Sequence, residues 1–235
     1  MKGLLHYHLH NYLRSHRYIP PLSLYILSLV INYTYTPNPI LDSYSFTSLL
    51  LFFIMGWFTV TIFHAEDEGQ KRITMLHCKN LRKYYRSLFT MGILIGLCLS
   101  LISVVYPIVF NTFGVETRGL HLIMGFLSHF SLSLLSLSLS LSALFTRELI
   151  QNQSNTWWGV LGILVISVSI STLKDTIDGF IWLFPPLHFS LEIMSSEDNI
   201  KSIPVLFWGQ FSWIFLYTFL LIGIFFLIMK RKHPL

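Results

Sequence analysis

Residues 64–87 read HAEDEGQKRITMLHCKNLRKYYRS, a long polar stretch set between two apolar runs. It opens on the acidic triplet Glu66-Asp67-Glu68 and passes through the short segment Ile73-Thr74-Met75-Leu76. It closes on Arg82-Lys83 and Arg86. Acids at the start and bases at the end favour a water-exposed helix, because each complements the partial charge at its end of the helix dipole. The few apolar side chains of such a helix suit it to press on a partner. The stretch therefore reads as a lever, passing a push from outside the membrane to the spans on either side.

The flanking sequence sets the class. With 53% hydrophobic residues, 11% charged residues and a mean hydropathy of +0.61, the chain is far outside the soluble globular range. Six apolar stretches, roughly 19–36, 45–63, 89–110, 119–146, 156–173 and 205–229, approach the ~20 residues that cross a ~30 Å hydrocarbon core. They predict an all-α integral membrane protein with six transmembrane helices, forming a single domain over residues 1–235. The first is marginal, with Pro20-Pro21 at its start and Asn32 near its end; the fourth is long and must tilt or project. Ahead of them, residues about 3–18 mix Leu, Tyr and His before Arg14 and Arg17, predicting an interfacial helix along the inner leaflet. This polar, His-rich start lacks the order of a cleavable signal.

Basic residues orient the chain. With both termini and the 64–87 loop cytoplasmic, the inside carries Lys2, Arg14, Arg17, Lys71, Arg72, Lys79, Arg82, Lys83, Arg86, Arg147, Lys230, Arg231 and Lys232. The outside keeps Arg118, Lys174 and Lys201. Thirteen of the sixteen Lys and Arg inside is a strong asymmetry. The net charge of +5 is then answered by anionic lipid of the inner leaflet, with no nucleic acid needed. A bacterial cell membrane is the expected setting.

Two further regions carry information. In the fourth span Ser128, Ser131, Ser138 and Ser142 form one group on a helix, and Ser133, Ser136 and Ser140 another. Alternation of this kind suggests a strand, but a lone strand leaves its backbone unsatisfied in lipid, so helix wins. Small side chains on two faces favour close packing; a polar path is the sharper alternative. Residues 174–203 are apolar for a loop and are broken at Phe184-Pro185-Pro186, where helix cannot continue. They predict a re-entrant hairpin before the last span, with Phe184, Pro185, Pro186 and His188 either an outer gate or a structural cover over the outer ends of the spans. Cys78 and Cys98 read as free thiols. His6, His8 and His10 are possible metal ligands but read more simply as a solvated face, so no metal site is expected. His121 and His129 are ionisable groups inside a span.

The whole order resembles the membrane subunit of an ABC exporter of the type-2 permease family, and in compactness the permeases of peptide and bacteriocin exporters. In that family an acidic cluster follows the second span, a short coupling helix docks into the ATPase, and a basic segment leads into the third span. The resemblance implies that Glu66, Asp67, Glu68, Arg72, Thr74, Met75 and Leu76 couple this chain to its ATPase. Phe184-Pro185-Pro186 would form the re-entrant pair. His77-Cys78-Lys79-Asn80 stands where many members carry a Pro-containing turn. No G-x-x-x-x-G-K-[ST] occurs in the chain, so ATP and magnesium are expected on a separate P-loop ATPase subunit in two copies. A second permease, as homodimer or heterodimer, is implied.

Other classes remain open at this level. Asp67-Glu68-Gly69-Gln70-Lys71-Arg72 resembles the E-E-x-x-x-R motif of intramembrane CAAX-type proteases, and Phe184 to His188 an F-x-x-x-H motif. The charge topology sets Glu68 and His188 on opposite membrane faces, too far apart for shared catalysis. An ion-driven carrier would need ionisable groups near the midplane and an internal repeat. A non-transport immunity protein is the remaining alternative.

Overall fold

The computed structural model describes residues 2–78, 80–114, 116–117, 119–147, 153–172, 185, 187, 198, 202–203 and 205–232. Eight helices occur among them: α1 (Lys2–Arg14), α2 (Ile19–Asn32), α3 (Ile40–Phe63), α4 (Glu68–Cys78), α5 (Leu81–Val109), α6 (Gly119–Arg147), α7 (Gln153–Thr172) and α8 (Val205–Lys232). The described residues contain no strand, only an isolated bridge between Asn38 and Phe113. Among the described residues, four segments are long and apolar enough to cross a membrane: Ile40–Phe63, Leu81–Val109, Gly119–Ser140 and Val205–Lys230. Two apolar helical stretches are shorter, Ile19–Asn32 and Asn155–Ser171.

Helix ends explain where the boundaries differ from those expected. Pro20 and Pro21 occupy the first turn of α2, where a missing N–H costs no helical bond, and α2 ends at Asn32 rather than near 36. Helix α3 starts at Ile40, ahead of the apolar run. Its first amides are capped from far along the chain: the Asp198 carboxylate accepts from Ile40 N at 2.8 Å and Leu41 N at 2.9 Å. Helix α5 starts at Leu81 because Asn80 accepts from Arg82 N at 3.0 Å and Lys83 N at 3.4 Å, as a good N-cap does. The polar stretch 64–87 is thereby divided. Arg82, Lys83 and Arg86 belong to the first turns of α5, not to the end of α4.

Helix α6 is the hub, packed against α3, α5, α7 and α8. Its seam with α3 is built from small residues. Ser128 Oγ meets Ser48 Oγ at 3.2 Å, and Ser136 Oγ donates to Phe52 O at 2.5 Å. A Cβ on Gly125 would lie 2.7 Å from the Tyr44 ring, so the close approach there requires glycine. His129 is buried in this seam. Its Nδ1 lies 2.7 Å from Gly125 O and its Nε2 2.9 Å from Thr47 Oγ1. A carbonyl only accepts, so the Gly125 contact places the proton on Nδ1 and leaves Nε2 an acceptor facing Thr47 Oγ1, whose single proton is contested by the Ser43 carbonyl at 2.9 Å. His121 sits at the start of α6, its Nε2 2.9 Å from the Asp198 carbonyl. Both histidines therefore make hydrogen bonds to neighbouring elements.

Two apolar clusters complete the bundle. One joins α1, α2, α3 and α5 with the end of α8, around Tyr12, Tyr25, Phe58, Tyr85 and Phe225. The other joins α3, α6, α7 and the start of α8, around Tyr44, Phe52, Leu132, Leu164 and Phe211.

Candidate functional site

The turn leaving α3 and the helix that follows carry the acidic triplet and the exposed polar face of α4. Asp67 starts α4: its Oδ1 accepts from Gln70 N at 2.6 Å, and its carbonyl accepts from Lys71 N at 2.9 Å. Glu68 is the first helical residue and is exposed. These two acids meet the positive end of the α4 dipole, as their position in the sequence requires.

Glu66 behaves differently. The triplet reading put all three acids on the exposed helix start, but Glu66 turns inward and is only 9% exposed. The Tyr84 hydroxyl of α5 donates to its Oε2 at 2.7 Å. His8 of α1 brings Nδ1 to 3.6 Å from Oε1. Thr74 Oγ1 of α4 stands 3.4 Å away, but its single proton is better placed on Gln70 O at 2.9 Å. The carboxylate thus stands where α1, the α3–α4 turn, α4 and α5 meet, with Tyr84 as its principal donor. A buried carboxylate is tolerated only with such partners.

Around this hub α1 is fixed at further points. Tyr12 Oη is 2.7 Å from Thr61 Oγ1. Thr61 itself donates to Phe58 O at 2.9 Å, so the tyrosine is the donor. Burial pushes the Tyr12 phenol up to about 12, opposed by its bond to Thr61 and by Arg17. Gln70 Nε2 donates to Tyr7 Oη at 2.9 Å, and Arg17 donates to the His64 carbonyl. Burial lowers the His8 imidazole below its ordinary value, with the Glu66 charge acting in the opposite direction.

The faces of α4 divide cleanly. Met75 packs inward against the core shared by α1, α3 and α5. Ile73 and Leu76 point away and are 58% and 77% exposed. Arg72 is exposed and Thr74 half-buried. Of the two apolar coupling residues expected from the sequence, Leu76 is exposed and Met75 half-buried, and Ile73 is exposed beside Leu76. Lys71 holds its ammonium 5.7 Å over the Tyr85 ring, tying α4 to α5.

In the expected outer gate, Phe184, Pro186 and His188 lie outside the described residues. Pro185 and Leu187 are buried, with Leu187 N donating to Pro185 O at 2.8 Å. The paired-carboxylate motif has Asp67 engaged as the cap of α4 and Glu68 on the surface. No group of three or more metal-ligating side chains occurs among the described residues; His6 and His10 stack at 6.3 Å on the exposed face of α1.

The inward hub was not read from the sequence, although one signal for it exists. Leu5, His8 and Tyr12 recur at the spacing of one helix face, and these are the α1 side chains that pack inward. No family model matches the chain, no curated protein matches it, and no solved structure matches its fold.

Proposed function

We propose that this protein is the permease subunit of an ATP-driven exporter of the ABC type, coupled to a separate P-loop ATPase and working beside a second permease. The single observation that carries the reading is α4: a short amphipathic helix between two long apolar helices, presenting Ile73 and Leu76 outward, packing Met75 inward and following directly on the turn whose Glu66 is bonded to Tyr84. A displacement of α4 reaches α5 through the Glu66–Tyr84 bond and α1 through the Gln70–Tyr7 bond. Side chains held by packing and charged hydrogen bonds transmit such motion with little slack.

In this reading the two shorter apolar helices, α2 and α7, also cross the bilayer, giving six spans, and residues 174–203 form the re-entrant outer hairpin. Both termini and α4 are cytoplasmic. An apolar cleft of about 520 Å³ between α2, α3 and α7, lined by residues including Leu24, Phe53, Trp57, Trp157, Trp158 and Leu164, supplies a face for the second permease and the path between them. Small peptides, bacteriocins or related toxins are the proposed cargo, by analogy with compact permeases.

The test is made on α4. The full chain, affinity-purified from its own membrane, should bring down a P-loop ATPase. Ile73→Asp with Leu76→Asp places two charges against a hydrophobic groove, an uncompensated burial that costs several kcal/mol. The ATPase and export should be lost while insertion and thermal unfolding stay unchanged. Complex and export retained by that double variant would sink the reading.

A further inference from the structure

His8 is a histidine buried among polar partners that satisfy it only in part. The residue is 3% exposed. Its Nδ1 stops 3.6 Å from Glu66 Oε1, beyond a normal hydrogen bond, and its Nε2 is buried with no partner. The ring stands edge-on to Tyr84 at 5.0 Å and beside Tyr7 at 5.3 Å. The titratable groups facing it are Tyr7 of its own helix, Glu66 from the α3–α4 turn and Tyr84 of α5. Of these, Glu66 alone acts on the imidazole by charge. Glu66 already receives the Tyr84 hydroxyl at 2.7 Å.

We propose that His8 is a proton-operated latch on α1: neutral, it holds the first turns of the helix against Glu66 and Tyr84; protonated, it releases them. A neutral imidazole leaves Nε2 as one unpaired acceptor, a smaller cost than an unpaired charged donor. An imidazolium brings two donors, and its Nε2–H would point into protein with nothing to accept it. At this imidazole burial outweighs the Glu66 charge, and with Nε2 unpartnered and Nδ1 no closer than 3.6 Å to the carboxylate the buried charged donor is not compensated. Released, the imidazolium reaches water and the headgroup region, where both donors are satisfied.

The direction of the pH effect follows. Burial holds the docked imidazole below 6.5, the value of the freely exposed side chain. The docked state therefore binds fewer protons, and docking strengthens as pH rises. Docking is complete above 6.5 and weakens as pH falls from there toward the docked value, by at most about tenfold per pH unit for one proton. The Tyr12–Thr61 bond keeps its proton throughout, since burial pushes that phenol up to about 12. Release is thus confined to the turns ahead of Tyr12, giving up the exposed Gln70–Tyr7 bond to water, with the rest of α1 acting as the hinge. In the exporter reading this makes coupling sensitive to cytoplasmic acidification, but docking of α1 is measurable whatever the protein transports.

The experiment is amide hydrogen exchange over residues 2–12 of the full chain in lipid nanodiscs, from pH 7.5 to 5.5, corrected for intrinsic rates. Protection in the unmodified protein should fall below pH 6.5. His8→Phe and His8→Gln, one filling the slot and one keeping it polar, should show no such fall; Glu66→Gln should keep it. A flat profile in the unmodified chain would overturn the proposal. So would a fall that persists in the His8 variants, or one abolished by Glu66→Gln. Independently of any variant, the His8 ring resonance should titrate below 6.5, and a midpoint at or above that value overturns it as well.

Discussion

At the scale of single residues, three neighbouring acids have three different environments. Asp67 caps a helix, Glu68 is exposed at its first turn, and Glu66 is buried under the Tyr84 hydroxyl. Their substitutions separate accordingly. Glu68→Gln removes an exposed charge at a helix start, worth about 0.3–1 kcal/mol. Glu66→Gln weakens a buried hydrogen bond to a charged group, worth about 1.5–3 kcal/mol, and should lower the thermal unfolding midpoint in detergent clearly more than Glu68→Gln. Equal midpoints for the two would mean that Glu66 is not held as described. A double-mutant cycle with Tyr84→Phe should show coupling between Glu66 and Tyr84 and none between Glu68 and Tyr84. Tyr12 supplies a pH test of the same junction. Its phenol is pushed up from 10 to about 12 chiefly by burial, so the folded state holds a proton that the unfolded state loses above pH 10. That contribution is full below pH 10 and is lost as pH rises through 12. Tyr12→Phe should therefore show a shallower loss of stability across this window than the unmodified chain. An identical slope would place Tyr12 outside the buried cluster. The helix-starting roles of Asp67 and Glu68 were legible in the sequence because they depend only on local position. The inward turn of Glu66 was not, because it depends on where α1 docks.

At the scale of helices, α6 shows what periodicity conveys. The serines split into two groups on a helical projection, and both groups are buried: Ser128, Ser131 and Ser138 on one side, Ser133, Ser136 and Ser140 on the other. A helix buried on two faces needs small residues on both, and that much the composition of the segment foretold. The direct contacts favour packing, since Ser136 bonds to the Phe52 carbonyl and Ser133 sits where a Cβ on Gly96 would meet it at 2.7 Å. Which glycines matter could not be read from one sequence, because each looks alike until a neighbour is placed over it. Gly125→Ala sets a methyl 2.7 Å from the ring of Tyr44, itself fully buried, and should destabilise by about 1–3 kcal/mol. Gly162→Ala on α7 meets nothing within 4 Å and should be neutral or gain up to about 1 kcal/mol from helix propensity. Melting of the two variants in the same detergent checks the pair; similar midpoints would contradict the α3–α6 seam.

At the scale of the whole molecule, the apolar runs located the cores of the helices and their ends escaped them. Asp198 moves the start of α3 and Asn80 the start of α5; the first acts from more than a hundred residues away, where no local pattern can report it. The number of crossings is the consequence that matters. Among the described residues four segments are long enough by themselves, while Ile19–Asn32 and Asn155–Ser171 are shorter. Fourteen residues of α2 rise only about 21 Å at 1.5 Å per residue, less than the ~30 Å core. The fit then requires local thinning of the bilayer or flanking side chains that reach the interface, at a modest cost. Single cysteines in a background with Cys78 and Cys98 replaced decide the matter. Exposed Gln70, Tyr35 and Ser202 provide the sites, labelled with an impermeant thiol reagent on intact cells and after permeabilisation. With six crossings, Tyr35→Cys and Ser202→Cys label on intact cells and Gln70→Cys only after permeabilisation. If α7 does not cross, two spans separate Gln70 from Ser202, so the two label on the same side. Should α2 fail to cross while the Gln70 site stays inside, α1 and Tyr35 share one face; a cysteine at Gly3, on that helix, then labels together with Tyr35 and opposite Gln70. Since α1 bonds to α4 through Tyr7 and Gln70, that last pattern would contradict the fold itself and not merely the count of spans.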